Sequence, residues 1–361
     1  MVGNTLFDTI LPDKLKVSIS IKAFENFDIM NFKQRICTAL KNHFPDNAFE
    51  VKLTKTTLYF WITPTRYRTS PSDNKHTDTN LIPPTEEELY NLFIEMGLVE
   101  LTAQNEDSIV VNWLDITKNT LVSKPVSAYI KLLKNRLYKG FLEVIDDSSS
   151  AKNTSIVISA LKKDCTEKDI TGTRKYIFYD KMQQLKDKSS LRSVELRRPL
   201  TNKEIQMLPV GSCNETGTFI DFRGIYILRT ELQFKQNNKL QYVSQFLTGN
   251  KSDTKLKFST ILELLEKREL YAKLDEYFTY TVKTNIFYDN PNNNTRLTSY
   301  DRLLLRLIKN QSKTSLLIMY EFDEKLHNLA KAVLFKIQSA EASANELYKE
   351  LYLKLGLGES D

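Results

Sequence analysis

The chain has 361 residues, 41% of them hydrophobic and 27% charged, with only 10 Gly and 10 Pro; that supplies a sizeable core and excludes a disordered or collagen-like polymer. Its formal net charge of +6 suits a polyanionic partner, because Lys and Arg release counterions condensed on phosphates, and it equally suits a plain basic surface. Cys37, Cys165 and Cys213 show no CxxC spacing, which argues against a disulfide framework or a structural zinc site.

A reducing cytoplasm is the expectation. The first residues lack the apolar run of a signal peptide, and no stretch approaches the roughly 20 apolar residues that cross a bilayer. A soluble chain with no membrane partner is therefore expected.

In chain order, Lys16–Lys22 alternates, with Val17, Ile19 and Ile21 on one side, predicting a half-buried strand. Asp28 predicts the cap of an amphipathic helix carrying Ile29, Phe32, Ile36 and Leu40. Strand-like runs follow at Phe49–Thr54 and Thr57–Thr63, then a polar loop over Arg66–Pro84. Thr85 with Glu88 predicts a capping box, opening a helix that ends near Gly97. Ser108–Thr117 reads as a strand with Ile109, Val111, Trp113 and Asp115 on one face. Pro125 opens a basic helix running to about Tyr138. Thr154–Leu161, Arg174–Lys181 and Ile225–Lys235 read as strands, with a short helix over Met182–Lys188. After about residue 250 the pattern turns helical, with Thr260 and Glu263 capping one helix and others at Leu303–Lys309, Leu316–Gln338 and Asn345–Leu355. The expected architecture is α+β: an antiparallel sheet flanked by helices over residues 1–250 and an all-α C-terminal domain over 251–361.

Three places carry candidate chemistry. In Lys175–Lys181, period two puts Lys175, Ile177, Tyr179 and Lys181 on one face. Lysines beside a phenol favour its phenolate and attract a phosphate; the bland alternative is a strand-end tyrosine with snorkelling lysines. In Leu228–Leu232, Arg229 and Glu231 share a face, either simply in water or lining a site where the Glu holds a metal and the Arg a phosphate. Asp115 follows an apolar run, and is either buried with a partner or just past the strand end.

The order of these pieces resembles the replication initiators of filamentous phages and their plasmid and bacterial relatives. The matching segments are Phe7-Asp8-Thr9-Ile10, Leu114-Asp115, Phe178-Tyr179-Asp180-Lys181 with its following polar stretch, Leu228–Glu231, and the Leu-rich Phe258–Leu274 with Phe287-Tyr288-Asp289. The resemblance implies an origin-specific single-strand DNA nickase and strand transferase that starts rolling-circle replication through a 5′-phosphotyrosine. It places the nucleophile on Tyr179, aided by Lys181, Arg229 and Glu231, with Asp115 and Glu231 holding Mg²⁺ or Mn²⁺. Related nicking folds often use a histidine ligand, and this chain has only His43, His76 and His327, none in a strand beside Asp115 or Glu231. A catalytically weakened DNA-binding relative stays open for that reason, and a conjugative relaxase stays open because it would share the chemistry. No Gly-rich phosphate loop is present, so no nucleotide cofactor is expected. The implied partners are single-stranded or hairpin origin DNA and a host helicase and polymerase, inside a bacterial cell. Lys131, Lys134, Arg136 and Lys139 on the basic helix, Arg174 and Lys175 on the tyrosine strand, and Arg192, Arg197 and Arg198 are candidate DNA contacts.

Overall fold

A wholly antiparallel eight-stranded sheet organises the chain, in the order β2-β3-β1-β4-β10-β7-β6-β5. The strands are β1 (Ile10–Ser20), β2 (Phe49–Leu53), β3 (Thr57–Ile62), β4 (Ile109–Val122), β5 (Leu142–Ile145), β6 (Ser155–Ala160), β7 (Arg174–Asp180) and β10 (Tyr226–Lys235); β8 (Gly211–Cys213) and β9 (Phe219–Asp221) form a separate pair. The computed structural model describes residues 10–24, 27–67, 84–136, 138, 142–145, 155–160, 174–183, 211–213, 219–221, 226–235, 237–289 and 345–358, with single positions between 332 and 339. Lys139, Arg192, Arg197, Arg198, His76, His327, residues 7–9 and the expected helix at residues 303–309 lie outside the described residues, as does most of that at 316–338.

One face of the sheet is apolar because alternate residues point the same way. Val17, Phe60, Leu114, Ile116, Tyr176, Phe178, Leu228, Leu232 and Phe234 are all fully or almost fully buried. The described helices include α1 (Ile29–His43), α2 (Glu86–Glu95), α3 (Leu98–Gln104), α4 (Val126–Lys134), α5 (Asn237–Thr248), α6 (Phe258–Glu266), α7 (Leu270–Asn285) and α8 (Glu346–Lys354). The local signals at Asp28 and Thr85 work as expected, whereas α6 starts at Phe258 with Lys257 as its cap, ahead of the expected Thr260. The Asp28 carboxylate accepts from the Asn31 amide at 3.1 Å, and Thr85 and Glu88 make a reciprocal capping box. Gly97 joins α2 to α3 at φ 76°, a left-handed turn that favours glycine. A Cβ there would meet the Arg35 guanidinium, which donates to the carbonyls of Ile94 and Glu95 at the end of α2.

Two β-bulges redirect the central strands. Register shifts occur between Pro12 and Lys14 and between Lys16 and Val17 of β1 against β4. Across the second shift, Lys16 faces Trp113 while Val17 faces Val111. Ile109 and Val111 are therefore in the core, and Trp113 is not. The expected common face of Ile109, Val111, Trp113 and Asp115 is thus corrected: the extra residue reverses side-chain direction partway along β4.

The helices after residue 250 share the sheet's core. Leu256, Phe258, Phe278, Phe287, Tyr348 and Leu355 belong to the same continuous buried cluster as the strands. Polar contacts, some of them buried, fasten them. Lys118 Nζ on β4 donates to the Leu355 carbonyl at 3.4 Å and lies 3.7 Å from Asp275. Glu350 accepts from the Ser123 amide, the Ser123 hydroxyl and the Tyr129 hydroxyl. Just past α4, Arg136 forms a buried ion pair with Asp289 and lies over the Tyr348 ring at 4.2 Å. Asp289 also accepts from Gln338 and Ser339. Replacing Asp289 by Ala leaves the Arg136 charge buried without its counterion, so the Asp289→Ala protein should lose about 3–5 kcal/mol, read as a lower urea midpoint; an unchanged midpoint would contradict the proposed fastening.

Candidate active site

The second face of the sheet is polar along its centre. Period two places Arg229, Glu231, Gln233 and Lys235 of β10 on it, beside Tyr179, Ile177 and Lys175 of β7 and Trp113, Asp115, Thr117 and Asn119 of β4. Arg229 pairs in register with Tyr179 on one side and Asn119 on the other. Glu231 pairs with Ile177 and Thr117. The Tyr179 hydroxyl donates to Glu231 Oε2 at 3.5 Å, and its side chain is half-buried rather than sealed in apolar packing. Lys181, just beyond β7, is buried, and its charge acts on both Asp13 and Glu231.

Arg229 is only 2% exposed. A guanidinium at that depth needs a counterion, and Asp13 supplies it at 2.6 Å from the bulge of β1. Thr65 Oγ1 donates to the same carboxylate at 2.6 Å, and Arg229 also donates to Thr117 Oγ1 at 3.2 Å. Burial works against the charge of Arg229, but the neighbouring Asp13, Tyr179 and Glu231 outweigh it, so the group stays cationic. Burial likewise pushes the Asp13 carboxyl up, but Arg229, the Thr65 hydrogen bond and Lys181 together hold it below its ordinary value.

The other two carboxylates move the opposite way. Burial first, then the Asp13 charge, raises Glu231, against Arg229 and a 2.6 Å hydrogen bond from Gln233 Nε2. Burial and the Glu231 charge push Asp115 up to about 8, although Trp113 Nε1 donates to it at 2.5 Å. Two buried, mutually repelling carboxylates attract a cation. Among the described residues, no group of three or more His, Cys, Asp or Glu side chains is placed to hold a metal ion. Asp115 and Glu231 are the two carboxylates that a divalent cation at this face would meet, and oxygen donors of that kind suit Mg²⁺ or Mn²⁺. His43 is not part of it: it contacts Glu95 at 3.1 Å and stacks on Tyr67.

Tyr179, Lys181, Arg229, Glu231 and Asp115 thus come together, with Lys175 on the same face. The basic helix does not join them. It ends at Lys134, and Val126, Tyr129, Ile130 and Leu133 are its buried side. The helix covers β6 and β7 on the side of Tyr176 and Phe178, away from Tyr179. Lys131 is exposed and Lys134 half-buried on that helix. Arg136 is corrected: at 6% exposed and ion-paired with Asp289, it holds the fold together and does not face a DNA backbone. For Arg174 the structure gives the strand position alone. Asp13 and Thr65 are site residues that the sequence pattern missed. The sole signal is Pro12-Asp13 inside a strand, because a proline there marks an edge or a bulge.

No known family profile matches the sequence, and no curated protein matches it. Among solved structures, the chain is similar to a rolling-circle replication initiator protein from Geobacillus stearothermophilus, at 10% identity and a TM-score of 0.26, over 73% of this chain and 97% of that one.

Asp13→Asn removes the counterion of Arg229 and should cost about 2–3 kcal/mol, somewhat less than a fully buried pair because Asp13 is partly exposed. Its folded-state pKa is depressed, so the stabilisation is present above the unfolded value near 3.8 and is lost as pH falls through the lower folded value. Unfolding curves of wild type and Asp13→Asn should therefore differ at neutral pH and converge in acid; a gap that widens in acid would refute the pairing.

Proposed function

We propose that this chain is a site-specific single-strand DNA nickase and strand transferase that starts rolling-circle replication, with Tyr179 as its nucleophile. One observation carries the reading: a half-buried phenol lies 3.5 Å from the carboxylate of Glu231, on the sheet face where Arg229 is its register neighbour. A free tyrosine has a pKa near 10 and needs a base and positive surroundings to attack at neutral pH. Glu231, raised by burial and by Asp13, is the better proton acceptor for it. Arg229 and Lys181, both buried, lend positive potential to the phenolate from within the sheet.

In the proposed step, the phenol proton passes to Glu231 and the phenolate oxygen attacks phosphorus. The bond from phosphorus to the 3′ oxygen breaks, and that oxygen leaves as a hydroxyl after taking a proton. The product is a 5′-phosphotyrosine and a free 3′-hydroxyl that a host polymerase can extend. Because the new ester conserves the phosphodiester bond, the reverse step rejoins a strand without ATP. A Mg²⁺ or Mn²⁺ beside Asp115 would supply further charge at the scissile phosphate, with Glu231 left to take the proton. A relaxase that starts conjugation would use the same residues in the same roles.

Mixing the protein with single-stranded or hairpin origin DNA and Mn²⁺ should give a covalent adduct that maps to Tyr179. Tyr179→Phe should abolish it, and Glu231→Gln should slow it by about 10²–10⁴-fold. A Tyr179→Phe protein that still forms the adduct would end this assignment; a wild type that binds the DNA but never joins to it would leave a binding protein without the chemistry.

A further inference from the structure

The chain contains two tryptophans, and the sheet brings both into one row across its polar face. Trp61 on β3 pairs in register with Lys16 on β1, Lys16 with Trp113 on β4, and Trp113 with Lys235 on β10. Aromatic and cationic side chains therefore alternate across four neighbouring strands. Lys14 Nζ lies 4.5 Å from the Trp61 ring centre and 4.2 Å from that of Trp113. Lys235 Nζ lies 3.9 Å from the Trp113 ring, and Lys16 Nζ 5.4 Å from the Tyr59 ring. The indole N–H groups are tied down, Trp61 to Glu50 at 2.7 Å and Trp113 to Asp115. Both rings are held in place, and both are half-exposed.

The row is rich in cations, and its carboxylates, Glu50 and Asp115, are engaged by the indole N–H groups. Lys14, Lys16, Lys175 and Lys235 make no ion pair with a carboxylate among the described residues. Burial, then Lys175 and Lys14, holds the Lys235 ammonium below its usual range. A cation over an aromatic face gains only about 0.5–1 kcal/mol at an exposed site, a weak hold that an anion displaces. The ligand that matches is a flexible polyanion with flat faces exposed along it. A duplex hides those faces inside its own stack; an unpaired strand presents them. The row also lies on the face of Tyr179: β3 to β7 is about 19 Å across the sheet at the usual strand spacing of roughly 4.8 Å, and Lys235 to Arg229, the register partner of Tyr179, is roughly 20 Å along β10.

We propose that Trp61 and Trp113, with the lysines between and beside them, form a stacking platform for single-stranded DNA that leads toward Tyr179. Bases rest on the indoles, and Lys14, Lys16 and Lys235 move from the rings onto phosphates. The choice of DNA and the end of the path rest on the function proposed above; the stacking itself does not.

The two tryptophans are their own probe. A thymidine oligonucleotide added to the full chain should quench selectively excited tryptophan fluorescence, and the same strand within a duplex should quench it far less. Trp61→Ala and Trp113→Ala should each weaken single-strand binding about tenfold or more, while Trp→Phe at either position, which keeps a flat ring, restores most of it. Should the alanine proteins unfold, Lys16→Gln and Lys235→Gln serve instead: removing one lysine–phosphate pair should reduce the slope of log K against log salt by about 0.7. Equal quenching by duplex and single strand, or quenching by an acidic peptide equal to that by the strand, would overturn the platform. So would a wild type that joins covalently to origin DNA with both tryptophans unquenched, which would spare the nicking reading. Quenching with the expected weakening in the variants but no covalent joining would do the reverse.

Discussion

A guanidinium sunk into the middle of a β-sheet is the constraint around which the polar face is arranged. Arg229 sits where two neighbouring strands crowd it, and among the described residues Asp13, 2.6 Å away, is the carboxylate that pairs with it. That carboxylate reaches it because β1 bulges between Pro12 and Lys14. With Asp13 so engaged, the negative potential it adds falls on Glu231 and Asp115, both already penalised by burial. Burial first, with Asp13 adding to it, thus leaves two similar side chains basic, while Arg229 holds the third, Asp13, charged. Neighbouring groups driven apart in this way are a common mark of acid–base chemistry.

The opposite face does unrelated work with similar groups. Lys118 points from β4 toward α7 and α8, Arg136 is closed over by Asp289 and Tyr348, and Glu350 gathers three donors. These contacts clamp the later helices over the sheet. One strand, β4, thus serves both sides: its apolar and lysine side chains hold the helices, while Asp115 and Thr117 serve the polar face. No helix is long and apolar enough to cross a membrane among the described residues, in keeping with the absence of long apolar runs.

What the sequence discloses here is what depends on near neighbours. The Thr85–Glu88 box, the Asp28 cap and the alternation of Arg229, Glu231 and Gln233 involve residues two or three apart, so local pattern suffices. The α+β class follows from such patterns as well. The bulges do not, because one added residue changes facing without changing composition; that is why Val111 and Trp113 part company despite their even spacing. Arg136 reads as a surface cation in a basic helix because its partner, Asp289, lies far along the chain. Asp13 is hidden for the same reason, its partner being on β10. The fate of residues after 250 also turns on distance: they read as helices, and are helices where described, but their apolar sides complete the sheet's core.

The strand order has a kinetic corollary. The polar face draws on β1, β4, β7 and β10, and β4 meets β10 only after the intervening strands and helices have been made. Pairing between strands so far apart in the chain slows folding, since long loops must close before the pairing repays their entropy. During synthesis, Asp13 and Asp115 are in place well before Arg229 emerges. A nascent or truncated chain lacking β10 is left with a gap at the sheet's centre, exposing the edges of β4 and β7, the kind of unpaired strand edge that invites association with other chains.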